Sequence, residues 1–588
     1  VEIISTDQET HRSRLESLRV QMEAERSTFI AHWRDLSDFI LPRRTRFFLA
    51  DVNKGDRRSQ KIIDSAATIA ARTLRAGMMG GITSPARPWF RLTTPDPDLS
   101  EVSAVKRWLD AVTSRMRTVF LKSNLYNALP IVYGDLGVFG TSAMFVEEDL
   151  EDVFRCYVMP LGSYSVANDS KLRVRVFFRE FRMTVRQIVE KFGMDETTQK
   201  IDWENISTHV KSLWEQGLKE AWIDIAHVVM PNSDYDPGKL SAKFKRFYSG
   251  YYERGGSSAQ QSNYMADEQH KMLRESGFDL FPVLAPRWEV SGEDVYGTSC
   301  PGMEVLGDIR QLQLGEKRGA QAIEKMVNPP MVGPNALRTV RTSILAGDIT
   351  YSDERDGQKG FRPVHEVNLR ILEHEQKQDQ VRIRIRRGFF EDLFLMLASS
   401  DRRQITAREV EERHEEKLLA LGPVLEQLNQ DLLDPLIDLA FEFMRKQGLL
   451  PEPPQELEGV VLRVEYVSIM AQAQKLIGVS GLERFAGFIG NMAVQTGNPA
   501  LLDKVDTDQL IDVYADTLSI PSEVVRSDED VAAMRLQRDQ AAQAQATAAT
   551  ALDAASAAQK LASADLEKDS ALKRLMDQSN AGNIAPGV

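Results

Sequence analysis

With 588 residues, 42% of them hydrophobic and 27% charged, the chain is long enough for three or four globular domains. Its net charge of −13 argues against a protein that grips nucleic acid over a wide surface, which takes clustered Lys and Arg, but not against one that lets nucleic acid pass. Two cysteines, Cys156 and Cys300, exclude a disulfide framework or a cysteine-built zinc cage, and no run of 18 apolar residues offers a membrane span.

The cysteine usage fits a reducing compartment or a particle assembled inside a cell, and the opening VEIISTDQETHRSRLESL is too polar for a secretory signal. Residues 8–40 carry Ile30, Trp33, Leu36, Phe39 and Ile40 at helical spacing, ending before Pro42. A basic, loop-like stretch follows at 43–60. Helices are expected at about 61–79 and 100–122. Between them lies GMMGGITSPARPW, residues 77–89. A phosphate loop would follow a strand and end in Lys-Ser or Lys-Thr; here an Ala-rich helix precedes and no such pair follows. The glycines therefore read as a left-handed helix cap leading to a rigid turn, with Trp89 and Phe90 as core anchors.

LPIVYGDLGVFGTSAMFVEED mixes a helix with a first strand. From about 143 to 300, short β-rich runs (SAMFVEE, VFRCYVMP, LRVRVFFREFRM, WIDIAHVVM, FKRFYSGYYER, PVLAPRWEV) alternate with turn clusters, so this part is an α+β unit of mostly antiparallel strands, interrupted by a helix at 184–193. A helix is expected over 301–328, opened by Pro301 and stopped by Asn328-Pro329-Pro330. A compact unit of some 35 residues follows, then a second long helix at about 367–398, which places that unit at the tip of a helical hairpin. SSDRRQI at 399–405 breaks the pattern. Leucines at 418, 421, 425, 428, 432, 436 and 439 then mark a packed helical face that Gly422-Pro423 and Asp434-Pro435 must kink or restart. A strand, GVVLRVEYVS, comes next, followed by helices over about 469–520. The tail from 528 is nearly all Ala, Gln, Ser and Thr: either a long helix that pairs only in an oligomer or a disordered end.

Enzyme signatures are missing. The eight histidines show no metal-binding spacing; His365, His374 and His414 read as solvated or partner-facing. There is no G-x-S-x-G and no GxxxxGK[ST]. Glu411-Glu412 and Glu415-Glu416 read as solvated charge. No catalytic residue, cofactor or metal is assigned.

HWRDLSDFILPRRTRF, DSAATIAARTLRAGMMGGITSPARPWFRL, VYGTSCPGMEVLGDIRQLQ, NPPMVGP and QITAREVEER together resemble the portal (head-to-tail connector) proteins of short-tailed double-stranded DNA bacteriophages, over roughly residues 10–530. The resemblance implies a mainly helical α+β subunit: a wing at 1–300 that returns at 406–468, stem helices at 301–328 and 367–398, a small α/β clip at 329–366, a tunnel loop at 399–405, a helical crown at 469–527, and the Ala-rich tail at 528–588. It implies a ring, a dodecamer, at one capsid vertex of the virion, assembled in the host cytoplasm. Double-stranded DNA would pass through the ring during packaging and ejection. Its other partners would be the terminase large subunit, tail adaptor proteins, and the major capsid and scaffolding proteins, with no membrane.

Within that frame, Lys377, Arg382, Arg384, Arg386 and Arg387 are candidate DNA-channel contacts. Salt bridges between subunits, to Glu373, Glu375 or Asp379, are the alternative. Ser399, Ser400, Asp401, Arg402, Arg403 and Gln404 form the candidate tunnel loop, with both arginines facing the channel. Arg338, Arg341, Asp353, Glu354, Arg355 and Asp356 are candidates for clip docking, the acidic run also reading as a solvated turn. The competing readings are a packaging motor ATPase, which the missing phosphate loop opposes, and a helical scaffold or adaptor of the virion that conducts no DNA.

Overall fold

A computed structural model describes residues 11–47, 57–96, 102–194, 200–254, 271–332, 362–363, 370–399, most of 421–467, and 528–562, besides a few isolated positions. Its first helix, α1 (His11–Phe39), divides its work between two cores. Leu15 and Met22 cover one face of a sheet, while Trp33, Leu36 and then Ile40 enter the main core, as their spacing predicts. Beyond it, α2 (Ala66–Gly81) buries a stripe of small residues, Ala67, Ala70, Ala71 and Gly81, with Leu74 and Met78. The short strand β1 (Phe90–Thr93) follows, and Trp89 and Phe90 are fully buried, as anchors should be. Helix α3 (Ser103–Lys122) presents Val105, Leu109, Val112, Met116 and Phe120 to the core, a spacing of three and four.

The left-handed glycine cap expected at 77–81 is absent. Helix α2 runs through all three glycines, and the next residue, Ile82, keeps right-handed helical geometry. Such a cap closes α4 (Leu125–Phe139) instead: Gly140 has φ +75° and donates its N–H to Leu136. Then come β2 (Met144–Asp149), β3 (Val153–Val158), β4 (Tyr164–Asn168) and the eleven-residue β5 (Val174–Thr184). A Thr184–Gln187 capping box opens α5 (Val185–Ile188), which passes into a π-turn at Val189–Gly193. Helix α6 (Thr208–Glu215), β6 (Trp222–Pro231), β7 (Phe247–Glu253), β8 (Arg274–Phe278) and the two-residue β9 (Val283–Leu284) complete the β-rich part.

All strand pairings here are antiparallel: a five-stranded sheet in the order β4-β5-β6-β7-β8 and a three-stranded one in the order β3-β2-β9. Both faces of the large sheet are covered, which explains apolar runs such as WIDIAHVVM where a half-exposed sheet would alternate. Phe178, Ala226, Val228 and Tyr252 face α1, whereas Phe177, Ile225, Val229 and Tyr251 face the opposite way. His227 is buried between Arg179, which donates to its Nδ1 at 3.1 Å, and Ser249 Oγ, 3.0 Å from its Nε2. Burial, with Arg179 and Lys191 near, pushes its pKa well below the usual imidazole value, so the ring is a neutral core group.

The helix expected over 301–328 forms as two pieces, α7 (Pro301–Glu304) and α8 (Leu306–Val327), meeting at Val305. Strands β10 (Met331–Val332) and β11 (Arg362–Pro363) pair at the two ends of the segment expected to form the tip unit. Most of that unit, including Arg338, Arg341, Asp353, Glu354, Arg355 and Asp356, lies outside the described residues.

The second long helix also differs from expectation. It is α9 (Ile371–Gly388) and α10 (Glu391–Ser399), broken at Phe390, whose φ is +55°. Phe389 is fully buried and Phe390 stacks on Trp288 with centroids 6.5 Å apart, so aromatic packing outweighs continuation of the helix.

Residues 421–428 are helical and pass through a π-turn, Asn429–Leu433, into the helix α11 (Asp434–Lys446). The restart expected at Asp434-Pro435 is therefore made by a π-bulge with the proline in the first turn. Strand β12 (Arg463–Tyr466) pairs with β1 in the register Phe90↔Tyr466 to Thr93↔Arg463. Most of 469–527 lies outside the described residues, and α12 (Asp528–Ala562) makes the first part of the tail one long exposed helix.

Both cysteines are free and buried, and burial pushes each thiol up to about 12. Among the described residues no helix is long and apolar enough to cross a membrane.

Candidate functional site

The candidate site is the antiparallel pair α8 and α9 and the junction that holds it. Its contact line is made of glycines. A Cβ added to Gly315 would stand 2.1 Å from Gln378 Nε2, one on Gly319 would stand 2.5 Å from His374 Nε2, and one on Gly388 would stand 2.2 Å from Val305 Cγ1. Without side chains at those points the helices approach closely, and Gln378 and His374 fill the vacated space. His374 is thus a half-buried packing group rather than a solvated one, while His365 and His414 lie outside the described residues. Toward the wing, Val381, Ile385 and Phe389 join Leu306, Ile309 and Leu312 in the main core.

Asp64 ties this pair to α2. Its Oδ1 accepts the Ala66 N–H at 2.7 Å, satisfying a free donor at the start of α2, and its Oδ2 accepts Arg382 Nε at 2.9 Å. Buried Gln313, on α8, accepts the N–H groups of Ile63 at 2.6 Å and Asp64 at 2.9 Å through Oε1 and donates Nε2 to Asp64 O at 2.7 Å. Three elements therefore meet in one hydrogen-bonded knot. Gln313→Ala leaves two backbone N–H groups without partners, each a loss of about 1–3 kcal/mol if water stays out. The expected result is a thermal midpoint lowered by several degrees, whereas Gln311→Ala, on the exposed side of α8, leaves it unchanged.

The five cations proposed from the sequence separate into two groups. Arg382 is held by Asp64, by Glu316 at 2.6 Å and by Asp379 at 2.6 Å, and Arg384 by Asp308 at 2.8 Å. Of these four partners only Asp379 was foreseen, and all lie in the same chain. Arg386 has a looser contact with Glu391 at 3.7 Å. Lys377 and Arg387 are exposed and, among the described residues, make no ion pair. The sequence could not expose Asp64 and Asp308 as partners, since Asp64 lies more than 300 positions from Arg382.

The apolar helix α10 leads to the SSDRRQI segment and clarifies the three-glycine stretch. A Cβ at Gly77 would lie 2.1 Å from the ring of Phe394, so Gly77 is the notch in α2 that receives α10. Ser399 is the last residue of α10, and Ser400, Asp401, Arg402, Arg403 and Gln404 lie outside the described residues. The YG-x-S-x-PG string is read in the same way. Gly297 and Gly302 lie flush against the backbone at the end of α4, at Gly140 and Val138, and so set where α7 and α8 begin.

Among the described residues no group of three or more His, Cys, Asp and Glu is placed to hold a metal ion. The arrangement is mechanical: a rigid, close-packed helical hairpin, clamped at one end, with Arg310, Arg382 and Arg384 held by carboxylates of the same chain.

Residues 12–525 match the family described as "Bacteriophage head to tail connecting protein". The chain is 46% identical over 573 residues to the "Portal protein" of Salmonella phage epsilon15, an alignment that covers 97% of this chain and 99% of that relative. It is 44% identical over 565 residues to the "Probable portal protein" of Bordetella phage BPP-1, covering 96% and 98%.

Proposed function

Because the chain belongs to the bacteriophage head-to-tail connecting protein family, the portal proteins of phage capsids, we propose that it works as a closed ring of identical subunits whose α8–α9 hairpins surround the DNA path. Portal function in genome packaging makes it a virion component. The ring number, twelve, comes from the resemblance. The terminase large subunit and later the tail adaptors would dock at the tip unit between β10 and β11. The major capsid and scaffolding proteins would hold the wing, during assembly in the host cytoplasm. No catalytic role is assigned to the subunit.

The observation that carries this reading is the neutralisation of Arg382 and Arg384 on α9. A conduit must let a polyanion slide, and every phosphate held by Lys or Arg adds adhesion and salt dependence. Arg382 and Arg384 are satisfied by carboxylates of their own chain. On α9 that leaves Lys377, Arg386 and Arg387 as the cations available to DNA, with Gln376 and Gln380 beside Lys377 in the chain. A wall of helices with axes about 8–10 Å apart, one or two from each of twelve subunits, would enclose a bore about 26 Å wide or wider after about 5 Å is taken off at each side for backbone and side chains. A duplex passes through such an opening. The 22 residues of α8 give a wall about 33 Å tall at about 1.5 Å per residue.

Imaging of the purified full chain tests the proposal. A ring with an axial hole of duplex width is expected; a lone subunit, or a solid assembly as a non-conducting scaffold or adaptor would give, overturns it. For the loop after α10, Arg402→Ala with Arg403→Ala should still give rings but reduce the DNA retained in heads by about tenfold or more, since several phosphate contacts per subunit are lost. Unchanged packaged length and yield would remove those arginines from the channel.

A further inference from the structure

We infer that neighbouring copies of the chain meet through the backs of α8 and α9, with Lys317 and Arg318 of one copy set against Glu373 and Glu375 of the next. This rests on the ring reading above and names the contact that closes the ring. The glycine line marks one side of each helix as the seam inside the subunit. At 100° per residue, Leu314, Lys317, Arg318 and Gln321 form a stripe on the side of α8 turned away from that seam. Leu372, Gln376, Asp379 and Ile383 form the matching stripe on α9, with Glu375 on its flank. Both stripes end in exposed apolar groups: Leu314 is 48% exposed, Leu372 75% and Ile383 47%.

The charges of the two stripes are opposite. Lys317 and Arg318 are exposed and make no ion pair among the described residues. Over 372–380 the chain carries Glu373, Glu375 and Asp379 against the single Lys377. Glu375 also makes no ion pair among the described residues, and Glu373 has only the exposed Arg370 at 2.9 Å. Arg382 and Arg384 of α9 do not serve as the cations of this contact, because Asp64, Glu316, Asp379 and Asp308 already hold them.

Register supplies the second argument. His374 lies on Gly319, Gln378 on Gly315, and Gly388 by Val305. By the same antiparallel register, 317 and 318 stand level with 376 and 375. Rotation about a ring axis leaves height unchanged. With the hairpin standing along the ring axis, the cations of one copy arrive at the height of the next copy's acids, within about one helical turn, 5.4 Å. Leu314 arrives at the height of Asp379, one turn from Ile383. A basic face that meets an acidic face cannot pair with itself, so the contact is head-to-tail, the kind that closes rings.

The test uses the full chain and native mass measurement at matched subunit concentration. Lys317→Glu with Arg318→Glu should lower the fraction of rings by about tenfold or more, and so should Glu373→Lys with Glu375→Lys, because each sets like charges opposite one another at every seam. The four changes combined in one chain should restore rings to within about twofold of the wild type. Thermal midpoints unchanged in the double variants would show that the subunit itself is intact. Ring fractions equal to wild type in both doubles, or a combined variant no better than the worse double, overturn the inference while the ring stands. A wild-type chain that forms no ring overturns the ring reading first, and this contact with it.

Discussion

Arg44→Ala lowers the stability of the subunit by about 3–5 kcal/mol, the usual loss when one partner of a buried ion pair is removed. Asp135 lies on α4 and is almost fully buried. Arg44 grips it with two nitrogens, Nε to Oδ1 at 2.8 Å and a second nitrogen to Oδ2, and Ser142 Oγ adds a contact at 3.4 Å. The same guanidinium donates to Met159 O at 3.3 Å. Beside it, Thr45 bridges to Leu161 and hydrogen-bonds Ser37 at 2.7 Å, so the LPRRTRF string is stitched into the wing through backbone and side chain together.

Alanine at 44 leaves a carboxylate in a cavity without its counter-charge, and Asp135 must either protonate or draw in water. Lysine at 44 keeps the charge but loses the planar fork, so it should recover only part of the loss. Denaturant titration at fixed subunit concentration measures both, since ring formation would otherwise shift the apparent value. A loss under about 1 kcal/mol for the alanine variant would put the pair in the class of exposed bridges and refute its structural role.

Gly297→Ala is the second large effect. Its new Cβ would stand 2.1 Å from Gly140 O and 2.8 Å from Gly140 C, and both are backbone atoms. Neither strand of chain can yield cheaply. The carbonyl of Gly140 accepts Trp288 N–H at 2.8 Å, the N–H of Gly297 is held by Thr141 Oγ1 at 2.7 Å, and Gly140 already occupies left-handed space. Overpacking of a core costs about 1–3 kcal/mol where side chains can adjust, and a clash of backbone on backbone should reach or exceed the top of that range.

Gly297→Ala would also displace the start of α8, because Gly302 is seated against Val138 only a few residues later. A fall in thermal midpoint should therefore come with loss of assembled rings. Gly307→Ala provides the contrast within the same string. Nothing lies within 4 Å of a Cβ at 307, an exposed helical position, so alanine there should stabilise by about 0.5–1 kcal/mol. If both variants behave alike, the close approach at 297 is not what holds the string together.

Elements with their own period were legible in the chain. The three-and-four spacing of α1 and α3 and the long apolar strands β5, β6 and β7 declare themselves, because each buries a face whose pattern follows from local geometry. Strands β1, β4 and β8 were not visible: four or five residues are too few to show a period, and β1 exists only because β12, some 370 positions on, supplies its hydrogen bonds. The break at Phe390 was not legible although Gly388 stands two residues before it, because the left-handed turn falls on the phenylalanine and not on that glycine. The locking of Arg382 had no nearby acid to explain more than Asp379.

By itself the sequence determined the α+β class, the pair of long helices, the lack of enzyme signatures and, through its longest strings, the family. Tertiary structure alone decided what the glycines at 77, 297, 315 and 319 are for and which of the α9 cations are held by carboxylates of the same chain. A helix or strand is specified by neighbours in the chain, whereas a notch or an ion pair is specified by whatever group the fold brings to it from far away.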